Sequence, residues 1–150
     1  MVKILIGLIL GIICGFLYRL GGWEKGNKLF RRIGCPLIAL IFLWILDGFK
    51  SSLWWAYLLS FGLSYGAMST YHDYLTNGDE NWLCWLMTGS GYSLAYIPLL
   101  WIGITPLALI IRTVVLSLGT MFIREFTGND FIEEFGTGFL YLTTIPLLII

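Results

Sequence analysis

The chain has few charged residues: 9 Lys and Arg and 9 Asp and Glu, which together make up 12% of its 150 residues. Soluble domains carry about 25%. If this chain were soluble, it would therefore have too few polar groups to cover its surface. The formal net charge is zero, and no basic stretch interleaved with aromatic residues is present. These features predict that the protein does not bind nucleic acid.

Metal-ligating and nucleophilic residues are also scarce. The chain has one histidine and three cysteines, and Cys14, Cys35 and Cys84 each stand alone in an apolar segment. No CxxC spacing, HExxH motif, GxSxG elbow or glycine-rich phosphate loop occurs in the sequence. We therefore expect no metal site, no disulfide framework and no cofactor. Enzymatic activity is left open by these absences.

Hydrophobic residues are abundant, at 58%, and they are grouped in six long blocks. A membrane-spanning helix needs roughly 20 such residues, and the blocks lack the alternation typical of membrane strands. We predict an all-α integral membrane protein with one domain, residues 1–150, built as a compact bundle of about six transmembrane helices. Four or five crossings follow instead if a short block does not span. The blocks are 4–18, 33–46, 53–71, 82–103, 104–123 and 135–150.

The connections between the blocks are of two kinds, which predicts an asymmetric molecule. The segments 19–32, 72–81 and 124–134 are long and charged, whereas those near Gly48 and Gly103 are short. With six crossings, the three charged loops lie on one face. Because Lys and Arg favour the cytoplasm, we expect these loops to be cytoplasmic and both termini to lie outside.

A matched motif occurs in the first and last charged loops. Arg31-Arg32 and Glu133-Glu134 are each preceded by two apolar residues and followed by an apolar residue and Gly. Each loop is predicted to form a short amphipathic helix in the membrane interface. We expect the two charge pairs to be spatial neighbours that form structural ion pairs. The alternative is a coincidence in a sequence of restricted composition.

Arg112 lies inside an apolar block, where a cation costs about 2.5–3.5 kcal/mol on insertion scales. It must therefore face the bundle interior, a wet cavity or a counter-charge. One interpretation is that Arg112 binds an anion. The other is a buried structural pair with Asp47 or a glutamate.

Two neighbouring blocks, 60–73 and 85–96, are unusually rich in hydroxyl groups. Two polar helix faces predict a hydrophilic pocket between them that opens to Arg112. In the alternative, Ser and Thr hydroxyls bond to their own helix backbone. The candidate ligand-binding residues beside Arg112 are Tyr65, Ser69, Thr88, Tyr92 and Tyr96.

Two other features suggest different functions. His72 and Asp73, with Arg19, are predicted at the cytoplasmic rim, where they are candidate catalytic residues for a phospholipid headgroup; the simpler interpretation is a helix end at the membrane surface. Gly7, Gly11 and Gly15 have the small-xxx-small spacing that lets helices approach closely. This face favours packing inside the bundle, with docking of a second copy or a larger membrane protein as the alternative.

Several short motifs together resemble small uncharacterised membrane proteins of bacteriophage and prophage genomes. The resemblance spans most of the chain and implies no particular activity. It implies a bacterial inner membrane and admits an accessory role in altering the host envelope. The motifs are Tyr18-Arg19-Leu20-Gly21-Gly22, Gly34-x-Pro36, Arg112, Asn129-Asp130-x-x-Glu133-Glu134-x-Gly136 and Thr144-Ile145-Pro146.

The sequence thus supports three hypotheses about function. The first is a membrane protein that binds or conducts a small anionic or zwitterionic solute. The second is a membrane-embedded enzyme acting on a phospholipid headgroup. The third is a non-catalytic accessory protein that docks a larger membrane protein. Membrane lipids are expected partners in all three.

Overall fold

The computed structural model describes residues 1–22, 26–48, 54–75 and 81–149, with side chains in the third range described as far as Ser69. Every regular element in these ranges is helical, and the prediction of an all-α fold is confirmed. The helices are α1 (Val2–Gly22), α2 (Cys35–Asp47), α3 (Trp54–Leu75), α4 (Trp82–Leu94), α5 (Pro106–Phe126) and α6 (Asp130–Thr143).

Three short elements extend these helices. A π-helical turn, Phe30–Gly34, leads directly into α2. The 3-10 helices Ile97–Ile102 and Ile145–Ile149 follow α4 and α6. Each 3-10 helix has a proline at its second position, which has no N–H to continue the preceding α-helical pattern. The proline thus accounts for the change of helix type.

Polar side chains define the starts of three helices. The side chains of Asn81, Thr105 and Asn129 accept hydrogen bonds from backbone N–H groups in the first turns of α4, α5 and α6. Such N-caps satisfy donors that the helix itself leaves unbonded. Gly103, at φ 104°, ends the Ile97–Ile102 helix in a left-handed conformation that favours glycine.

The expected interfacial helices are not separate elements. Arg31 and Arg32 lie in the π-helical turn that continues into α2, and Glu133 and Glu134 lie in the first turns of α6. The two charge pairs lie in helical segments that are continuous with α2 and α6, and a position in the membrane interface stays a prediction. The Asn129 cap starts α6 before the charge pair, so the pair belongs to the helix that follows.

The helices run antiparallel to their sequence neighbours wherever contacts fix their direction. The Lys3 ammonium donates to Leu46 O, which brings the start of α1 to the end of α2. α1 also packs extensively on α6, and α4 packs extensively on α5. The α4–α5 pair is joined by hydrogen bonds from Ser90 to Ser117 and from Thr113 to Ser93.

Glycines allow the closest helix approaches. A Cβ on Gly11 would lie 3.0 Å from the Phe139 ring, and one on Gly15 would lie 2.8 Å from the Phe135 ring of α6. A Cβ on Gly7 would lie 2.7 Å from the Phe42 ring of α2. All three glycines are buried, so this face packs against α2 and α6 within the bundle. Docking of a partner through it stays a prediction.

The surface of the molecule is more apolar than that of a soluble bundle. Arginine, serine and threonine side chains are buried, whereas Leu, Ile, Val, Phe and Trp side chains on every helix are exposed. α1 and α5 are each long and apolar enough to cross a membrane. Buried side chains from all six helices form one contiguous core cluster.

Replacing Gly89 with Ala should destabilise the protein by about 1–3 kcal/mol, the usual cost of overpacking. A Cβ on Gly89 would lie 2.6 Å from Ser117 Cα and 2.8 Å from Leu116 O, and these backbone atoms of α5 cannot rotate away. The free energy of unfolding, measured by denaturant titration in detergent, checks this expectation.

Gly62→Ala is the matched control. Gly62 also lies within a helix, but a Cβ there meets no described atom within 4 Å. This substitution should be neutral or should stabilise the protein by up to about 1 kcal/mol, because Gly is unfavourable inside a helix. Equal losses for both substitutions would contradict the close approach of α4 and α5.

Candidate anion site inside the helix bundle

Arg112 projects from the second turn of α5 into the protein interior and is 0% exposed. Its guanidinium carbon lies 4.6 Å from the centroid of the Tyr96 ring and 5.3 Å from that of the Tyr141 ring. Nη2 donates a hydrogen bond to Tyr141 O at 3.0 Å. The cation is thus held by two aromatic faces and one carbonyl oxygen.

Tyr141 O is available because α6 ends close to it. The last carbonyl groups of an α-helix have no partner within the helix and carry partial negative charge. α6 ends at Thr143 and gives way to the 3-10 helix, and the Thr144 hydroxyl donates the other hydrogen bond that reaches Tyr141 O, at 3.1 Å. Arg112 therefore also stabilises the break at the end of α6.

The Arg112 guanidinium keeps hydrogen-bonding capacity beyond this contact. Neither Nε nor Nη1 has a hydrogen-bond partner within the described ranges. Asp47, one predicted partner, lies exposed at the end of α2, and the structure shows no ion pair between it and Arg112. These two nitrogens carry three of the five guanidinium N–H donors, which could all bond to an anion.

A pair of tyrosine hydroxyls lies on the other side of the same rings. Tyr96 and Tyr141 hydroxyls are 2.6 Å apart and buried. The Ser64 hydroxyl of α3 lies beside this pair. Its oxygen is buried and forms no hydrogen bond of good geometry with the described residues.

The predicted ligand-binding residues separate into two groups. Tyr96 contacts Arg112 directly. The Tyr92 ring lies next to Tyr141, with 5.9 Å between the two ring centroids. By contrast, the Ser69 and Thr88 hydroxyls donate to the carbonyls of Tyr65 and Cys84 in their own helices. Ser69 and Thr88 thus bond to their own helix backbones, as the alternative interpretation predicted. Tyr65 contributes its backbone carbonyl as the acceptor for Ser69.

The space between the two polar blocks is apolar. A cleft of about 600 Å³ between α3 and the α4 region is lined by leucine, glycine, alanine, isoleucine, proline and tryptophan. The described lining of this cleft does not match the predicted hydrophilic pocket, which stays a prediction for the part of the block 60–73 beyond Ser69. Tyr92 and Tyr96 are fully buried in the core. Tyr96 contacts Arg112 directly, and Tyr141 lies between Tyr92 and Arg112.

A second buried cation lies at the opposite end of α5. Arg124 Nη2 is 3.2 Å from Glu134 Oε1, and the two side chains are 3% and 12% exposed. Arg124 Nε donates to the Thr137 hydroxyl, and the guanidinium lies 4.4 Å from the Trp85 ring centroid. These contacts join α4, α5 and α6 at this end of the bundle.

Arg31 belongs to the same end of the molecule and is also buried. Its guanidinium carbon lies 5.2 Å from the Tyr18 ring, and the Tyr18 hydroxyl is 2.7 Å from that of Tyr92. A Cβ built on Gly22 would lie 2.8 Å from Glu134 Oε2 and 3.4 Å from Arg31 Nη1. Arg31 and Glu134 are therefore neighbours across Gly22, while pairing of Arg32 with Glu133 stays a prediction.

The candidate catalytic residues do not form a described site. His72 and Asp73 belong to the last turns of α3, but their side chains lie outside the described residues. Arg19 is half-buried in the last turn of α1. Within the described residues, no three His, Cys, Asp or Glu side chains are grouped so that they could hold a metal ion.

Sequence reasoning missed Tyr18, Tyr141 and the pairing of Arg124 with Glu134. Tyr18 and Tyr141 are single tyrosines in apolar blocks, so no local pattern separated them from interfacial aromatics. A buried hydroxyl needs a partner, and that rule applied to every tyrosine in an apolar block would have suggested Tyr–Tyr pairs. It would not have identified which tyrosines pair.

Comparisons with protein-family models, with curated proteins and with solved structures found no match to this chain.

The Arg124–Glu134 pair should contribute strongly to stability. Glu134→Gln alone should cost about 3–5 kcal/mol, because it leaves a buried cation without its counter-charge. The Arg124→Gln, Glu134→Gln double variant should lose less than the sum of the two single losses. A double-mutant cycle on the free energy of unfolding measures the difference.

Glu125→Gln is the control for this cycle, since Glu125 is the exposed residue next to Arg124. Its effect should stay within about 0.5 kcal/mol, as is usual for surface positions. Strict additivity of the Arg124 and Glu134 losses would show that the two side chains do not interact in the folded protein.

Proposed function

We propose that this protein is a six-crossing membrane protein that binds a small anionic or zwitterionic solute at Arg112. The two parts of the proposal rest on different observations. The exposed apolar surface of the bundle supports the membrane part. The buried guanidinium with unbonded N–H groups supports the binding part.

The exposed faces are suited to lipid. α1 exposes Ile and Leu along much of its length, from Ile4 to Leu20, and the outer face of α5 exposes Leu, Ile, Val and Phe. Soluble monomers rarely expose contiguous apolar patches of such extent. Lipid would cover these faces, and the few polar side chains would turn inward to satisfy one another.

Two of the shorter helices reach membrane length with their 3-10 extensions. α4 has 13 residues and is followed by a 3-10 helix of 6, and α6 has 14 followed by one of 5. With rises of about 1.5 and 2.0 Å per residue, each combination spans about 30 Å. This equals the thickness of the hydrocarbon core.

The charged end of the bundle is proposed to face the cytoplasm. Arg19, Arg31, Arg32 and Arg124 lie at this end, whereas Lys3 lies at the other. The excess of arginine follows the positive-inside rule. With the phage and prophage resemblance, this supports a bacterial inner membrane and two termini on the outer side.

Thiol labelling of whole cells tests the orientation. Asp47→Cys and Glu125→Cys place exposed cysteines at opposite ends, in a Cys84→Ala background where Cys14 and Cys35 are buried. A membrane-impermeant maleimide should label the first variant in intact cells and the second only after lysis. Equal labelling of both variants in intact cells would contradict the proposed topology.

The binding site follows from the unbonded groups around Arg112. A fully buried cation without a counter-charge is costly, and an anion that enters would recover that cost. Arg112 Nε and Nη1 would donate to the anion, and the Ser64 hydroxyl is a further donor next to the same two tyrosines. Carboxylate and phosphate groups accept several such bonds at once.

Ligand-dependent stability tests this site. Acetate, phosphate and glycine are added separately to purified protein at constant ionic strength set with sodium chloride. At least one should raise the unfolding midpoint, by about 5 °C at a hundredfold excess over its Kd. Arg112→Gln should abolish the rise, whereas Arg19→Gln, at the rim, should retain it.

Ser64→Ala separates binding from a purely structural role. Removing this buried hydroxyl should change the stability of the ligand-free protein by no more than about 1 kcal/mol, the value of one hydrogen bond. The same substitution should weaken anion binding about two- to tenfold, the value of one hydrogen bond. Anion binding at Arg112 is refuted if none of the three probes raises the unfolding midpoint of the wild type. It is also refuted if the probes raise the midpoints of Ser64→Ala and Arg19→Gln equally.

Uptake of the bound solute into proteoliposomes by the wild type, but not by Arg112→Gln, would extend binding to conduction.

A further inference from the structure

A narrow groove lies at the end of the bundle opposite Arg124. It has a volume of about 220 Å³ and runs between the first turns of α1, the last turns of α2 and the end of α6. Its walls are almost entirely hydrocarbon. The lining includes Gly7, Phe42, Leu46, Thr143 and Pro146.

Among the residues that the structure describes, one cationic side chain lines this groove. Lys3 is an exposed lining residue, and its ammonium donates to Leu46 O at 3.2 Å. An ammonium has three donors, so two remain after this bond. Lys3 makes no ion pair within the described residues. The bond to Leu46 O holds the charge next to the groove.

The larger cleft between α3 and the α4 region provides a contrast. It is also apolar, but none of its described lining residues is charged. Any acyl chain could lie there without regard to its headgroup. The groove beside Lys3 differs because it combines an apolar channel with a fixed positive charge, which matches an amphiphile with an anionic head.

We propose that this groove binds a membrane lipid with an anionic phosphate headgroup, one acyl chain lying along Gly7 and Phe42 and the phosphate contacting Lys3. The small volume fits a single extended chain better than a bulky ring system, since pockets for drug-sized ligands begin at about 300 Å³. Gly7 leaves the Phe42 ring in contact with the α1 backbone, which gives the groove its floor. The proposal rests on the membrane location proposed above and is independent of anion binding at Arg112.

Native mass spectrometry of the purified protein in a maltoside detergent tests this site. The probes are lysophosphatidylglycerol and lysophosphatidylcholine with the same acyl chain. The protein should bind one copy of the anionic lipid about fivefold more tightly than the zwitterionic one, the usual effect of one lysine at a membrane surface. Lys3→Gln should remove this preference while keeping a donor for Leu46 O.

Steric variants locate the acyl chain. Ile4→Trp enlarges an exposed residue that lines the groove and should weaken both lipids by about fivefold or more, since part of the apolar contact is lost. Leu5→Trp, at an equally exposed position that does not line the groove, should leave both affinities unchanged. Leu63→Trp, in the uncharged cleft, should leave the headgroup preference unchanged.

Three results would overturn the proposal. They are a headgroup preference that survives Lys3→Gln, equal effects of Ile4→Trp and Leu5→Trp, and displacement of the anionic lipid by inorganic phosphate alone, which would indicate a phosphate site without a lipid chain. Arg112→Gln should keep the headgroup preference. A variant that loses the anion-dependent rise in stability but keeps the lipid headgroup preference, or the reverse, shows that the two sites are distinct.

Discussion

The contact between the Arg112 guanidinium and Tyr141 O connects the features that make this bundle unusual. It places a cation at the end of α6, where carbonyl groups lack helical partners, and it brings that cation against the rings of Tyr96 and Tyr141. The same tyrosines form a buried hydroxyl pair. Three elements, α5, α6 and the segment after α4, are thereby fixed to one another around a charge.

At the opposite end of the bundle, the free-energy cost of burying a cation is offset in a different way. Arg124 has a carboxylate partner in Glu134, a hydroxyl acceptor in Thr137 and the face of Trp85. Its charge is therefore compensated by the protein itself, whereas Arg112 lacks a described counter-charge. This difference leads us to propose a structural role for Arg124 and a binding role for Arg112.

Small residues make both ends possible by controlling the distance between helices. Gly11 and Gly15 allow the rings of Phe139 and Phe135 to approach the α1 backbone, and Gly89 allows α5 to approach α4. Lipid would give little hydrophobic drive for such packing, so close contact and interior polar bonds would have to supply it. The spacing of Gly7, Gly11 and Gly15 was apparent in the sequence. The sequence did not show that α2 and α6 pack against these glycines.

The sequence by itself determined that the chain is helical, that its long apolar blocks need an apolar environment, and that Arg112 must face inward. These follow from composition and from the cost of exposing or burying each group locally. Only the tertiary structure decided which groups meet. Tyr18 pairs with Tyr92 and Tyr96 with Tyr141, at separations of 74 and 45 residues, and the cleft between the polar blocks is apolar because these hydroxyls turn to the core. Local pattern cannot encode such partners, since each depends on how distant helices rotate against one another.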